Sequence, residues 1–286
     1  MIDLSRIQTI GIAGAGTMGT GIAQVCLQAG YKVVLFDLNP HMLTKAKQSI
    51  EKGFEKLVEK GKISAEASEK ACSQIVFTED ILQVKAELII EAIIEKLEIK
   101  HSFFKQMAEI NGPSCILASN TSSIPITQIA AQIPNPESVL GIHFFNPAPI
   151  MKLVEIIAGV ATNPQIALLC NELISSMGKT CVMAKDAPGF IVNRIARHFY
   201  VESLKALEEN IAAYEDMDDL LEASGFKMGP FKLMDLIGVD TNFSVTSSMY
   251  QLFHQDSKFR PSRIQQQKVD AGHHGRKTGR GFYNYE

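Results

Sequence analysis

Residues 9–19 read TIGIAGAGTMG, an apolar run followed by three glycines with the spacing G-x-G-x-x-G. The glycines are Gly14, Gly16 and Gly19. In a strand-turn-helix unit the first glycine allows the tight turn, the second lets the backbone approach a pyrophosphate, and the third lets helix and strand pack closely. A helix that begins here offers unpaired N–H groups to phosphates. The stretch therefore predicts the first strand and the phosphate turn of a dinucleotide-binding domain.

The sequence that follows supports this interpretation. A helical pattern runs through residues 22–26, and Tyr31–Phe36 (YKVVLF) predicts a second strand that ends at Asp37. A carboxylate at this place accepts hydrogen bonds from a ribose 2′-hydroxyl and repels a 2′-phosphate, which favours NAD over NADP. The alternative is that the glycines form an ordinary turn and that Asp37 caps the next helix.

Strand-like and helix-like segments alternate through the first half of the chain. Thr9–Ala13, Leu88–Ile90 and Cys115–Ala118 are short apolar runs of the buried kind. Helical spacing lies between them, as in the series Ile50, Phe54, Leu57 and Val58. This alternation predicts a parallel sheet covered on both faces, so the fold class is α/β with a Rossmann-type doubly wound sheet.

Two further strands are predicted after this region, Val139–Phe145 and Met151–Ile157. The segment between them, Asn146–Pro149, contains two prolines and is too short to hold a crossover helix. We therefore expect the two strands to pair in antiparallel fashion.

The second half of the chain becomes helical from Phe190 onward, with glycines as interruptions. The residues Asp186-Ala187-Pro188-Gly189 break helix and strand alike. We place a domain boundary there, which gives a Rossmann-type domain of residues 1–186 and an all-α domain of residues 187–286.

The composition limits the class of protein. The chain has 286 residues, of which 46% are hydrophobic and 21% are charged, and its formal net charge is −3. These values are typical of a globular protein and lack the basic excess of a nucleic-acid binder. The longest apolar stretches are far shorter than a membrane span, and the N-terminus shows no targeting-peptide pattern, so the expected location is cytoplasmic.

The five cysteines are scattered and form no CxxC pair. An odd, dispersed set argues against a disulfide framework and against a structural zinc site, so we expect reduced thiols and no metal.

With these features established, the chain resembles the L-3-hydroxyacyl-CoA dehydrogenases, and most closely the bacterial 3-hydroxybutyryl-CoA dehydrogenases. The matching stretches occur in the family's order and extend from residue 7 to the C-terminus. They are Gly14–Gly21 (GAGTMGTG), Ile90–Glu95 (IEAIIE), Ala118–Ser123 (ASNTSS), Gly141–Ile157 (GIHFFNPAPIMKLVEII), Pro188–Arg194 (PGFIVNR), Met228–Phe231 (MGPF) and Gly275–Tyr283 (GRKTGRGFY).

The resemblance implies an NAD-dependent oxidoreductase that acts on the 3-hydroxyl of a short acyl-CoA bound between the domains, and a homodimer formed through the second domain. The family's catalytic base matches His143, and its acidic partner matches Glu155. An imidazole suits this role because it gains and loses a proton near neutral pH. The alternatives are a core histidine and a structural ion pair, because a buried carboxylate needs a partner.

Two further residues match positions that contact substrate in the family. Ser122 follows a buried strand at the carboxyl end of the sheet, where doubly wound folds bind ligands. A helix cap before Ile124-Pro125 is the alternative for this serine. Asn193 opens the first long helix of the second domain and, without the resemblance, would be an ordinary first-turn residue.

The resemblance also implies cofactor and coenzyme A contacts. The NAD contacts match Thr17, Met18, Ala92, Glu95, Lys100 and Asn120, in addition to the glycines and Asp37. Glu91 and Glu95 would share a face if their segment were helical, and a solvated helix face is the alternative. A charged amphipathic helix over residues 45–62 contains Lys60, which matches a coenzyme A contact, whereas Gly53 departs from a serine in some family members.

Two other functions are compatible with such a fold. Related proteins oxidise free hydroxy acids or sugar acids. A crystallin-like protein could bind NAD without catalysis, because fold alone does not settle function. The presence of Ser122, His143, Glu155 and Asn193 together favours an enzyme.

Overall fold

Eight strands form one sheet within residues 4–285, the part of the chain that the computed structural model describes. The strands are β1 (Thr9–Ala13), β2 (Lys32–Phe36), β3 (Ile75–Thr78), β4 (Leu88–Glu91), β5 (Ile116–Ser119), β6 (Val139–Phe144), β7 (Leu153–Ala158) and β8 (Thr180–Lys185). Their order is β3-β2-β1-β4-β5-β6-β7-β8. The order of the first six strands is that of a dinucleotide-binding sheet, which confirms the predicted fold class.

Neighbouring strands are parallel throughout, except that β6 and β7 are antiparallel. The predicted antiparallel pair is therefore confirmed. β8 extends the sheet in parallel with β7 and was not anticipated from the sequence.

Among the described residues of the first compact unit, Met1–Ala187, six α-helices accompany the sheet. They are α1 (Thr17–Gln28), α2 (Pro40–Glu59), α3 (Ala65–Ser73), α4 (Leu97–Asn111), α5 (Ile126–Ala130) and α6 (Pro164–Ser176).

Buried side chains cover both faces of this sheet. β4 and β5 are buried at every residue. Ile90 belongs to a cluster that includes residues of α1, α2 and α6. Ile89, its neighbour in β4, is equally buried but lies outside this cluster, and so do Phe104 and Met107 of α4. Because successive strand residues face opposite sides, the sheet is a buried central layer, and only its ends are open to ligands.

The second compact unit is Pro188–Glu286. Its helices are α7 (Val192–Glu208), α8 (Tyr214–Ala223), α9 (Pro230–Ile237), α10 (Val239–Leu252) and α11 (Arg263–Asp270). Its core contains Tyr200, Leu204, Phe231, Met234, Val239 and Phe282. This unit agrees with the predicted helical fold of the second half. No helix among residues 4–285 is long and apolar enough to span a membrane.

Candidate active site

The three glycines of the first turn have different surroundings. Gly14 has a φ of +95°, and a Cβ there would lie 2.6 Å from the carbonyl oxygen of Ala92. A Cβ on Gly19 would collide with the carbonyl oxygen of Gly14. A Cβ on Gly16, by contrast, would meet no atom within 4 Å. The fold itself thus requires Gly14 and Gly19, whereas Gly16 keeps space open above the turn, as a pyrophosphate needs.

The N-terminus of α1 lies directly after this open space. Gly16 is its N-cap and supplies no side-chain hydrogen bond, and Thr17 and Met18 are its first two residues. The N–H groups of the first helical turn have no intrahelical acceptor, so they remain suited to a phosphate.

Asp37 fixes the turn from the end of β2. Its Oδ2 accepts a hydrogen bond of 2.7 Å from the N–H of Ala15, and its Oδ1 accepts one of 2.9 Å from the N–H of Asn39. The alternative that Asp37 caps α2 is wrong, because Asn39 is the N-cap and accepts from the N–H of His41. Asp37 therefore connects the glycine turn to the second strand.

An open cavity of about 740 Å³ begins at Gly14 and Asp37. Much of the rest of its lining is apolar. The apolar members are Phe36, Leu38, Ile81, Ile93, Ile94, Ile99 and Phe103. Such a cavity can hold a flat aromatic ring beside a carboxylate that accepts from sugar hydroxyls.

Lys100 is the centre of a buried charge cluster near the ends of β4 and β5. Its Nζ lies 2.7 Å from Oε1 of Glu91 and 3.0 Å from Oε2 of Glu95, and the lysine is 1% exposed. The helical interpretation of residues 91–95 is wrong, because Glu91 ends β4 and α4 begins only at Leu97. The two carboxylates come together through Lys100 and not through a shared helix face.

The two carboxylates of this cluster differ in their surroundings. Burial raises the pKa of Glu91, against the opposing effect of Lys100 and of hydrogen bonds that include one from Ser119. Burial also acts on Glu95, but Lys100 and the hydroxyls of Thr121 and Ser123 outweigh it and lower the pKa of Glu95. Glu95 is thus held ionised beside the loop that follows β5.

We expect Lys100→Met to lower the free energy of unfolding by about 3 kcal/mol at pH 8, because it leaves the Glu91 carboxylate buried without its cation. Since the pKa of Glu91 is raised in the fold, protonation favours the folded state, and the loss should shrink as the pH falls. Urea unfolding at pH 8 and at pH 5.5 measures both effects. Lys105→Met in the same helix is the matched control, since the hydrogen bond of Lys105 is to the surface residue Gln132 and not to a buried carboxylate. Equal losses in the two variants would contradict this account.

Asn120 and Ala92 lie at the same ends of the parallel strands. The N–H of Ala92 donates to the carbonyl of Ala13, the last residue of β1 before the glycine turn. The side-chain oxygen of Asn120 accepts a hydrogen bond of 2.8 Å from the N–H of Phe144. Asn120 therefore connects the end of β5 to the end of β6, next to His143.

His143 and Glu155 are direct partners in the register of β6 and β7. Directly opposed residues project on the same face of a sheet, so their side chains meet. The Nδ1 of His143 lies 2.8 Å from Oε2 of Glu155, and the two residues are 5% and 1% exposed. The ring of Phe145 lies 4.4 Å from the imidazole, centroid to centroid. This arrangement orients the imidazole, fixes Nδ1 as its carboxylate-facing nitrogen and directs proton exchange to Nε2.

Ser122 lies in the loop between β5 and α5, and its N–H donates to Oε1 of Glu95 at 3.3 Å. The start of α5 is instead capped by Asp186. Its Oδ1 accepts a hydrogen bond of 2.7 Å from the N–H of Ile126, and its Oδ2 accepts one of 2.7 Å from the N–H of Thr127. This contact joins residues far apart in sequence and had no local signal. Asn193 is the second residue of α7 in the second unit and is half-buried.

A second cavity, of about 370 Å³, lies between the start of α1, one side of α2 and residues 146–149. Its cationic side chains are Lys45, Lys52 and Lys56. Lys60 lies outside this lining, as the exposed C-cap of α2. Gly53 lines this cavity, and a Cβ there would lie 2.7 Å from the terminal amide of Gln24, a flexible side chain that can move aside.

Two family models match nearly the whole chain. The model described as the NAD-binding domain of 3-hydroxyacyl-CoA dehydrogenase matches residues 9–187, and the model of the C-terminal domain of the same family matches residues 189–285.

Individual relatives agree with these matches. A 3-hydroxyadipyl-CoA dehydrogenase of Escherichia coli is 46% identical over 98% of this chain, which spans 59% of that relative's length. A probable 3-hydroxybutyryl-CoA dehydrogenase of Deinococcus radiodurans is 42% identical over 96% of this chain and 99% of its own. The crystal structure of an (S)-3-hydroxybutyryl-CoA dehydrogenase from Ralstonia eutropha superposes with a TM-score of 0.93 at 37% identity, covering 98% of this chain and 99% of its own.

Proposed function

The chain belongs to the 3-hydroxyacyl-CoA dehydrogenase family, and on that premise we propose that it oxidises the 3-hydroxyl of a short acyl-CoA with His143 as the general base. Family membership confirms the resemblance drawn from the sequence, the expectation of an enzyme and the expectation of NAD as cofactor. The single observation that carries the proposed residue roles is the buried contact of 2.8 Å between His143 and Glu155.

The dinucleotide has residues that suit each of its parts. Gly16 leaves room for the pyrophosphate, and the uncapped start of α1 supplies donors for it. Asp37 is placed to accept from a ribose hydroxyl beside the apolar cavity. Bound NAD supplies the hydride acceptor of the reaction. We assign the nicotinamide side to the predicted contacts Ala92, Glu95, Lys100 and Asn120.

The protein's own part in the reaction is a proton transfer. Nε2 of His143 takes the proton of the substrate hydroxyl while the carbon loses a hydride, and the products are the 3-ketoacyl-CoA and NADH. The Glu155 carboxylate stabilises the imidazolium that forms. We assign Ser122 and Asn193 to hydrogen bonds with the substrate, as in the family resemblance. The reverse reaction uses the same groups in the opposite order.

A spectrophotometric assay of NADH tests this proposal directly. We expect oxidation of NADH with 3-ketoacyl-CoA substrates of short chain length, and weaker activity with NADPH because Asp37 repels a 2′-phosphate. Turnover of a free hydroxy acid in preference to its thioester would contradict the proposed substrate.

We further propose that the coenzyme A phosphates bind the lysines of α2 that line the second cavity. Lys52→Ala with Lys56→Ala should raise the KM for acyl-CoA about 10-fold, because each removes a charge-assisted contact with a phosphate. An acyl-pantetheine thioester lacks these phosphates and should keep its KM. Lys60→Ala is the matched control. A larger effect of Lys60→Ala would instead support the contact that the resemblance implies.

The assembly and location of the protein are also proposals. We expect a homodimer formed through the second unit, which sedimentation equilibrium measures. The five cysteines are free thiols, which is in keeping with a reducing, cytoplasmic compartment.

A second candidate substrate comes from the E. coli relative, whose name specifies an adipyl group. This acyl chain ends in a carboxylate, and a protein that accepts it needs a cation for that end.

A further inference from the structure

Arg197 is a buried cation without an acidic partner. It is 3% exposed, and among the described residues no carboxylate forms an ion pair with it. Both of its hydrogen bonds use Nη1, one to the carbonyl of Asn242 at 3.1 Å and one to Oγ1 of Thr246 at 3.0 Å. Its Nε has no partner within the described part of the chain. Burial lowers the pKa of Arg197 to about 10, so the side chain keeps its charge at neutral pH.

The other buried ions described in the second unit, Asp218 and Asp235, have several hydrogen-bond donors each. Asp218 accepts from the N–H groups of Phe231 and Lys232 and from the hydroxyl of Tyr283. Asp235 likewise accepts from the N–H groups of Phe282 and Tyr283 and from the hydroxyl of Tyr285. A buried charge normally requires such compensation. Arg197 is therefore exceptional among the buried ions in the described part of this unit, since its Nε has no hydrogen-bond partner.

The position of Arg197 relates it to the proposed substrate contact. Asn193 and Arg197 are four residues apart in α7, so they lie on one face of the helix. Arg197 is the first of the buried residues of α7, and two of the three that follow it, Tyr200 and Leu204, belong to the apolar core. Arg197 thus lies between the proposed substrate contact and the core.

We propose that Arg197 binds the terminal carboxylate of a dicarboxylic acyl-CoA, and this inference rests on the proposed function because it takes Asn193 as a substrate contact. A carboxylate is the acceptor that matches the open edge of a guanidinium, by two parallel hydrogen bonds. The cation stacked on the Tyr200 ring, 5.3 Å from its centroid, is held in place to receive it.

The competing explanation is structural. The two bonds of Nη1 connect α7 to α10, so Arg197 could serve only to hold these helices together. That role would make no difference between substrates with and without a terminal carboxylate.

The test compares 3-hydroxyadipyl-CoA with 3-hydroxyhexanoyl-CoA, which differ only in the terminal carboxylate. We expect the wild-type enzyme to have the higher kcat/KM for the adipyl substrate. Arg197→Met should lose about 10- to 100-fold on the adipyl substrate and little on the hexanoyl substrate. Arg263→Met removes an exposed arginine of the same unit and is the matched control, which should change neither value.

Two measurements keep the test decisive if Arg197→Met does not fold. Arg197→Lys keeps the charge but loses the paired geometry, so it should retain part of the preference. Adipyl-CoA should also inhibit the wild-type enzyme at lower concentration than hexanoyl-CoA. Equal losses on both substrates, or a wild-type enzyme without preference for the adipyl chain, would overturn this inference alone. Failure of the wild type with every acyl-CoA would overturn the proposed function as well.

Discussion

Replacing His143 by glutamine should reduce kcat by about 10³- to 10⁴-fold, because the hydroxyl proton then has no acceptor when the hydride leaves. The affinity for NADH, measured from the change in its fluorescence on binding, should stay within about twofold of wild type, since His143 is proposed to act on the substrate proton and not to bind the dinucleotide. The proposed dinucleotide contacts come from other residues, chiefly the glycine turn and Asp37.

His101 offers the matched control for this prediction. It is also buried, at 8% exposure, and its Nε2 contacts the carbonyl of Gln128 at 2.8 Å. His101→Gln should therefore disturb packing to a similar degree and leave kcat nearly unchanged. If the His143 variant keeps most of its activity, or if both variants lose it equally, His143 is not the base.

Replacing Glu155 by glutamine should lower kcat by about 10²- to 10³-fold while the KM values for NAD and acyl-CoA change little. The amide has nearly the same shape as the carboxylate, but it no longer fixes the tautomer or stabilises an imidazolium. Steady-state kinetics with separate kcat and KM values measures this effect.

The structural ion pair, the alternative for Glu155, predicts a different outcome. Glu155 is 1% exposed, so a purely structural role would appear as a lower midpoint of thermal unfolding with kcat preserved. Calorimetry of the variant beside its kinetics separates the two roles. A destabilised but fully active Glu155→Gln enzyme would remove Glu155 from the proposed mechanism.

Sequence patterns were sufficient where the signal was local. Thr9–Ala13 forms the predicted strand, and the predicted helix begins directly after the glycine turn. Turn chemistry and the length of the hydrophobic run specify this unit directly. The antiparallel pairing of β6 and β7 followed from a connection too short for a crossover. The predicted strand ends differ from the observed ones by only one or two residues.

Sequence patterns failed where a contact joined distant elements. β8 was missed because it is an exposed edge strand, in which Val182 and Met183 are 38% and 44% exposed, so no buried pattern marks it. Glu91 and Glu95 were expected to lie together only if their segment were helical, whereas Lys100 brings them together from α4. Arg197 lies on an otherwise apolar side of α7, and only the fold reveals that this cation is enclosed.

The register between β6 and β7 decides whether His143 and Glu155 can meet. The proposed base His143 and its acidic partner Glu155 lie opposite each other because of the strand register in which Leu140 pairs with Ala158. A shift of either strand by one residue would turn His143 or Glu155 to the opposite face of the sheet. Insertion or deletion of one residue between Phe145 and Lys152 should therefore abolish turnover even where the barrier to unfolding is unaffected. The length of this short connection is then as important for the proposed reaction as the imidazole itself.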